Sequence, residues 1–233
     1  SWLGLLRQHK RVAIPAARRA AFLEELYALP SPPPLDLPPG VALAEHGAPA
    51  APKLYVHAPT LDEGPLRASL FAALTFDYDG LPVAATRAGR VAFDAAKMRL
   101  LRRDAAAESA ARALLETLGL TPIARTSALP PPEGAHLQLP AARLPLIVEA
   151  LLAEGFKVEA AGKSFRKSTG TDVAIKASGV DWFEMHGSVS FDGIRVPLPD
   201  ILAALRKGEN AVLLDDGTLG LLPDAWLRKH GLV

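Results

Sequence analysis

Leu66-Arg-Ala-Ser-Leu-Phe-Ala-Ala-Leu-Thr-Phe-Asp-Tyr78 runs directly into Asp79-Gly80. Successive side chains on a strand point to opposite faces, so Leu66, Ala68, Leu70, Ala72, Leu74 and Phe76 fall on one side of an extended backbone. Asp-Gly then signals a tight hairpin. Val83 to Thr86 is the expected return strand, and Val91 to Leu101 offers one or two more. The first half of the chain is therefore built around antiparallel hairpins.

Helical signals lie on either side. Leu3 to Lys10 and Arg18 to Leu29 read as short helices, the second with Phe22, Leu23, Leu26 and Leu29 on one face. Short strands are expected at 41–44 and 53–57. Asp104 is a capping residue for a helix that stops at Gly119. Another helix opens at Pro140 and ends at Gly155. Beyond it, 158–161, 165–167, 173–177 and 182–190 read as strands, with further Asp-Gly turns at Asp192-Gly193 and Asp216-Gly217. Gly193 and Gly217 supply the positive φ of type I′ turns. Leu198 to Gly208 is echoed 24 residues later by Leu222 to Gly231. Each segment has Pro and Asp in a first helical turn and basic residues in the last, which suits the helix dipole. The expected class is α+β: antiparallel hairpins with four or five packed helices. The expected division is 1–120, a connector at 121–137, and 138–233.

Of 233 residues, 49% are apolar, enough for a sizeable core, and 26 basic residues face 25 acidic ones, so no global charge points to nucleic acid or membrane. Cysteine is absent, which excludes disulfides and thiolate chemistry. No apolar run reaches the roughly 18 residues of a membrane-spanning helix, and no segment reads as a signal peptide. The chain starts at Ser1 rather than Met, which reads as a fragment of a longer protein.

Gly155-Phe-Lys-Val-Glu-Ala-Ala-Gly162-Lys163-Ser164 ends as a nucleotide-binding P-loop ends. Its spacing is wrong, because a P-loop has four residues between its first Gly and the Gly-Lys pair, and here six intervene. No helix is expected after Ser164. The segment reads instead as a hairpin, with Lys157 to Ala161 as one strand, Gly162-Lys163 at the turn and Ser164 to Lys167 as the return. None of the six His residues lies within four of another, so no metal-binding pair of the His-Glu-x-x-His kind exists. His186 reads as a solvent-side strand residue. No Gly-x-Ser-x-Gly nucleophile elbow occurs. The acidic pairs Glu24-Glu25, Asp62-Glu63 and Asp215-Asp216 read as solvated surface or turn chemistry. The residues thus give no catalytic, cofactor or metal site. Two basic groups remain as nucleic-acid candidates: Arg99, Arg102 and Arg103 at a strand end, and Lys163, Arg166 and Lys167 in a hairpin.

The C-terminal third carries a pattern. Asp181-Trp182-Phe183-Glu184 runs through Gly187 into Val189-x-Phe191-x-Gly193 and Val196-Pro-Leu198. Ile201-Leu202-Ala-Ala-Leu205 to Gly208 follows, then Val212-x-Leu214-x-Asp216-Gly217-x-Leu219 to Pro223. This order resembles the helicase-associated region that precedes the ATPase core in bacterial SWI/SNF-family helicases. The resemblance is strongest over 181–223. It extends more loosely to Leu74-x-Phe76-x-Tyr78 and to Arg103-Asp104 followed by Glu108, where Arg103 is placed to pair with Glu108. It implies a cytoplasmic, non-catalytic accessory module that assists DNA engagement or regulates the ATPase lobes of the same polypeptide. ATP and Mg would be bound only in that core, and duplex DNA only weakly by this module. Trp182, Phe183, Gly193 and Gly217 are the implied structural anchors. The alternative is a protein-docking module without DNA contact.

Overall fold

The computed structural model describes residues 14–27, 29, 43–57, 69–124, 130–160, 162–177, 183–207 and 211–222. The mixed α+β class holds: four α-helices and fifteen strands occur among these residues. No helix among them is long and apolar enough to cross a membrane. The chain clusters into two compact units, one of residues 1–50 and 77–108, the other of 51–76 and 109–233.

The first unit holds α1 (Arg19–Tyr27) and a small sheet of β1 (Glu45–Gly47), β5 (Val91–Asp94) and β6 (Arg99–Arg102), in the order β1-β6-β5. β5 and β6 form an antiparallel hairpin with Val91 opposite Arg102 and Asp94 opposite Arg99. Asp94 accepts the Lys97 N–H at 3.1 Å and so closes the turn. The apolar face expected of α1 is the one buried: Leu23 and Leu26 pack with Phe93 and Leu100. The Tyr27 and Phe93 ring centroids lie 6.3 Å apart.

The second unit holds two sheets. The larger runs β14 (Ala211–Leu213), β15 (Leu219–Leu221), β10 (Lys163–Arg166), β9 (Lys157–Ala160), β2 (Ala51–Val56), β3 (Ser69–Tyr78), β8 (Leu137–Pro140), β7 (Thr121–Pro122). β4 (Leu81–Ala84), whose residues belong to the first unit, pairs with β3 off this path. The smaller sheet runs β11 (Gly170–Ala177), β12 (Phe183–Phe191), β13 (Ile194–Pro197). α2 (Ala105–Thr117), α3 (Leu144–Ala153) and α4 (Leu198–Arg206) complete the elements. The boundaries between the two units fall inside β3 and α2.

β3 shows the alternation read from its sequence, with Ala72, Leu74, Phe76 and Tyr78 buried; residues 66–68 of the expected strand lie outside the described residues. The capping signals of α2 also operate. Asp104 accepts the Ala107 N–H at 3.0 Å, and Gly119 ends the helix at φ 91°. All three Asp-Gly pairs sit at hairpin tips. Asp79-Gly80 and Asp192-Gly193 have positive φ at both positions, the requirement of a type I′ turn.

Three corrections follow. First, the sheets are mixed: β1–β6, β2–β9 and β10–β15 are parallel pairs beside the expected antiparallel hairpins. Second, Gly217 does not serve a two-residue type I′ turn. Leu214 accepts from the Gly217 N–H and donates to Thr218, and Asp216 keeps an ordinary φ. This is the longer loop in which glycine takes the left-handed position after a type I turn. Third, Lys163 is a strand residue opposite Ala160, so the β9–β10 turn passes through Gly162 one step earlier than expected.

Trp182 and the echo segment 223–231 lie outside the described residues. Phe183 begins β12 opposite Ala177, but its side chain and that of His186 also lie outside them. Among the described residues of this region, Phe191, Val189, Val196, Leu198 and Ile201 pack with Val212, Leu214 and Leu222. Leu198 and Leu222, equivalent in the 24-residue echo, share this core.

Candidate nucleic-acid interface

The six basic candidates separate into cations tied to carboxylates and cations presented to solvent. Arg99 belongs to the first kind. Its Nη2 donates to Asp79 at 2.5 Å and its Nε to Asp94 at 3.1 Å. Lys97 also reaches Asp79, at 3.4 Å. The Arg99 hydrogen bond, with Lys97 beside it, holds the Asp79 carboxyl below the usual carboxylate range. Burial pushes the Asp94 carboxyl up, but the Lys97 N–H and Arg99 together bring it below its ordinary value. These contacts join the β3–β4 tip to the β5–β6 turn.

Arg103 is more deeply committed. Its side chain is 5% exposed and its partner Glu108 3%. Nε and Nη2 meet the two carboxylate oxygens of Glu108, each at 2.7 Å, in the bidentate geometry that suits a planar guanidinium. Tyr78 donates its hydroxyl to Glu108 at 2.7 Å and accepts the Asp104 N–H at 3.0 Å. Burial and the Glu108 bond push the Tyr78 hydroxyl up to about 12. The remaining guanidinium nitrogen of Arg103 donates to the carbonyls of Arg87 and Gly89. The expected Arg103–Glu108 pair therefore exists as the centre of a buried network.

Arg166 is the third committed cation. Its Nη2 donates to Asp216 at 2.7 Å, its Nε to the Thr218 hydroxyl at 3.0 Å, and Asp192 lies 3.6 Å from Nη1. Both Asp-Gly tips of the C-terminal part thus converge on one strand residue. Two hydrogen bonds from Thr218, from hydroxyl and backbone, hold the Asp216 carboxyl low, with Arg166 adding to them.

Arg102, Lys163 and Lys167 are the candidates left exposed. Arg102 ends β6 opposite Val91 and beside Gly47 of β1. Lys163 and Lys167 lie on and after β10, and Lys157 is a further exposed lysine on β9. Sequence reading missed Lys157 as well as Arg87 and Arg90. Arg90 is exposed, and its carbonyl accepts the Arg103 N–H at 2.9 Å, which places it at the same sheet end as Arg102. The signal available in the sequence was the run Thr86-Arg-Ala-Gly-Arg90, which sets two arginines between the expected strands at 83–86 and 91–101.

An open cavity of about 290 Å³ in the second unit is lined by Ala141, Leu144, Pro145, Val148, Phe165, Ala211 and Leu221, all apolar. Among the described residues no three His, Asp or Glu side chains are grouped to hold a metal ion. No family model matches this chain, and no curated protein and no solved structure matches it either.

Proposed function

We propose that this chain is a non-catalytic accessory module of a bacterial SWI/SNF-type ATP-dependent DNA translocase, cytoplasmic, that helps the ATPase lobes of its own polypeptide engage duplex DNA or restrains them. The observation that carries the reading is the succession over 183–222: strand, Asp-Gly tip, strand, α4, strand, Asp-Gly tip, strand. That is the order in which the resembling region arranges its elements. The exposed cations Arg102, Lys163 and Lys167 support contact with a phosphate backbone, because long-range attraction to DNA needs charge that is not already paired.

The test is titration of a labelled duplex at 50 and 200 mM salt. At least three phosphate contacts give a slope of log K against log salt of about −2.7 or steeper, from −0.9 per contact. Affinity then falls at least roughly 40-fold over that range. Absence of binding at 50 mM, or a slope near zero, refutes DNA engagement. The protein-docking alternative then takes its place; the apolar cavity between α3 and β10, β14 and β15 favours it.

A further inference from the structure

We infer that Arg87, Arg90 and Arg102 form a phosphate-binding end on the β1–β6–β5 sheet, and that the buried Arg103–Glu108 pair exists to hold that end in place. The inference rests on the DNA reading above and assigns the contact within it.

The argument starts with the cost of the buried pair. Taking two charges out of water is expensive, and a buried ion pair is often no more stable than packed hydrocarbon. Arg103 therefore calls for a reason other than stability. Its contacts supply one. The backbone N–H of Arg103 binds the Arg90 carbonyl, and its guanidinium binds the carbonyls of Arg87 and Gly89. The 87–90 segment is thereby fastened to the end of β6. Gly89 holds the same segment from the other side. Its φ of 101° is one that side chains rarely adopt, and the position of an added Cβ would be in contact, at 3.4 Å, with the carbonyl oxygens of Tyr27 at the end of α1 and of Leu29 beyond it. Glu108 cancels the charge of Arg103, so the fastening itself contributes no net charge.

What the fastening positions is cationic. Arg90 and Arg102 are exposed at adjoining strand ends. Arg87 is half-buried, and its Nε and Nη2 are enclosed with no hydrogen-bond partner among the described residues. An enclosed guanidinium N–H without an acceptor is costly, so the side chain gains by turning out to an anion. The carboxylates at adjoining positions are Asp104, occupied in capping α2, and Glu45, two places along β1 from Gly47. Three guanidiniums on a fixed scaffold suit the non-bridging oxygens of a phosphodiester backbone, which arginine meets in a planar fork. Such contacts read charge and spacing, not base sequence.

The experiment compares the intact chain with two variants: Arg87→Gln/Arg90→Gln/Arg102→Gln, and Lys163→Gln/Lys167→Gln. Duplex affinity is measured from 50 to 200 mM salt. The Nε–Hε NMR signals of the arginines are followed as tripolyphosphate is added. The triple arginine variant is expected to flatten the salt slope by about 2.7 and to weaken binding at least tenfold at 50 mM. In the intact chain the Arg87, Arg90 and Arg102 signals are expected to move with tripolyphosphate while that of Arg103 stays fixed. Duplex binding that survives the triple variant but is lost in the lysine variant overturns the inference and leaves the DNA reading standing. Shifts with tripolyphosphate but no duplex binding support the phosphate site and overturn the DNA reading. Unmoved signals for all three arginines overturn the inference whatever the duplex does.

Discussion

Glu108→Gln tests the buried network most sharply. The substitution keeps the shape of the side chain and removes its charge. Arg103, 5% exposed, is then left as a buried cation whose nearest oxygens are the Arg87 and Gly89 carbonyls and one amide. Breaking a buried pair by removing one partner costs roughly 3–5 kcal/mol. Tyr78→Phe is milder. It deletes a hydrogen bond to a carboxylate, worth roughly 1.5–3 kcal/mol, and leaves the Asp104 N–H without its acceptor. The double replacement Arg103→Met/Glu108→Leu removes both charges together and is expected to restore most of the loss, since hydrocarbon of similar volume substitutes well for a buried pair. Local stability is read from hydrogen exchange at the amides of Asp104 and Ala107, which avoids assuming that the two units unfold together. The titration of Tyr78 gives a second signature. Its hydroxyl is raised from 10 to about 12 in the fold, so the unfolded chain loses this proton first. The contribution is complete below pH 10 and is lost as pH rises toward 12, over a span worth roughly 2–3 kcal/mol. Tyr78→Phe abolishes that alkaline loss, leaving the smaller one due to Tyr27, which burial and then Glu45 also raise. A Glu108→Gln cost below about 1 kcal/mol, or an unchanged alkaline profile in Tyr78→Phe, refutes the account of a charged clamp.

Other perturbations read separate parts of the fold. Gly220→Ala places a methyl 2.9 Å from three atoms of the fully buried Phe191 ring. It should cost roughly 1–3 kcal/mol in urea unfolding, and an unchanged midpoint would show that this core can shift. Asp104→Ala removes the cap of α2 and should cost about 1 kcal/mol, read by thermal denaturation. Lowering pH protonates Asp79, Asp94 and Asp216, whose carboxyls the fold holds below their ordinary range. Their stabilisation is present above about pH 4 and declines below it; an acid titration followed by circular dichroism that stays flat to pH 2 counts against these ion pairs.

Local rules carried far into this fold. Asp-Gly placed three tips, and Asp104 with Gly119 bounded a helix, because each depends on a few adjacent residues and on backbone angles that glycine adopts without strain. Non-local pairing was invisible for the same reason. Lys53 opposite Lys157 in β2–β9 and Phe165 opposite Leu219 in β10–β15 join segments separated by long stretches of chain, and no periodicity records such a register. β7 and β8 escaped notice because each ends in proline and neither is long enough to alternate, at two and four residues.

The candidate site shows where composition stops being informative. Arg99, Arg102 and Arg103 are near neighbours in sequence, yet only Arg102 is presented to solvent. Asp79 and Asp94 reach Arg99 from two hairpin turns, and Glu108 reaches Arg103 from the first turns of α2. A run of cations in sequence is a count of charges; its capacity to meet phosphate depends on how many carboxylates the fold delivers to the same place. Here the delivery is selective. The acids consume the arginines that tie turns and strand ends together, and the chain supplies other arginines, at 87 and 90, to the strand end so fixed. The guanidinium that pairs with Glu108 also fastens the carbonyls of Arg87 and Gly89, while the main-chain N–H of Arg103 binds that of Arg90, beside Arg102. Loss of duplex affinity in Glu108→Gln, measured where circular dichroism shows the variant still folded and with Arg87, Arg90 and Arg102 intact, is therefore the outcome that separates a positioned phosphate site from a diffuse basic surface. A diffuse surface would bind more tightly once that carboxylate is gone.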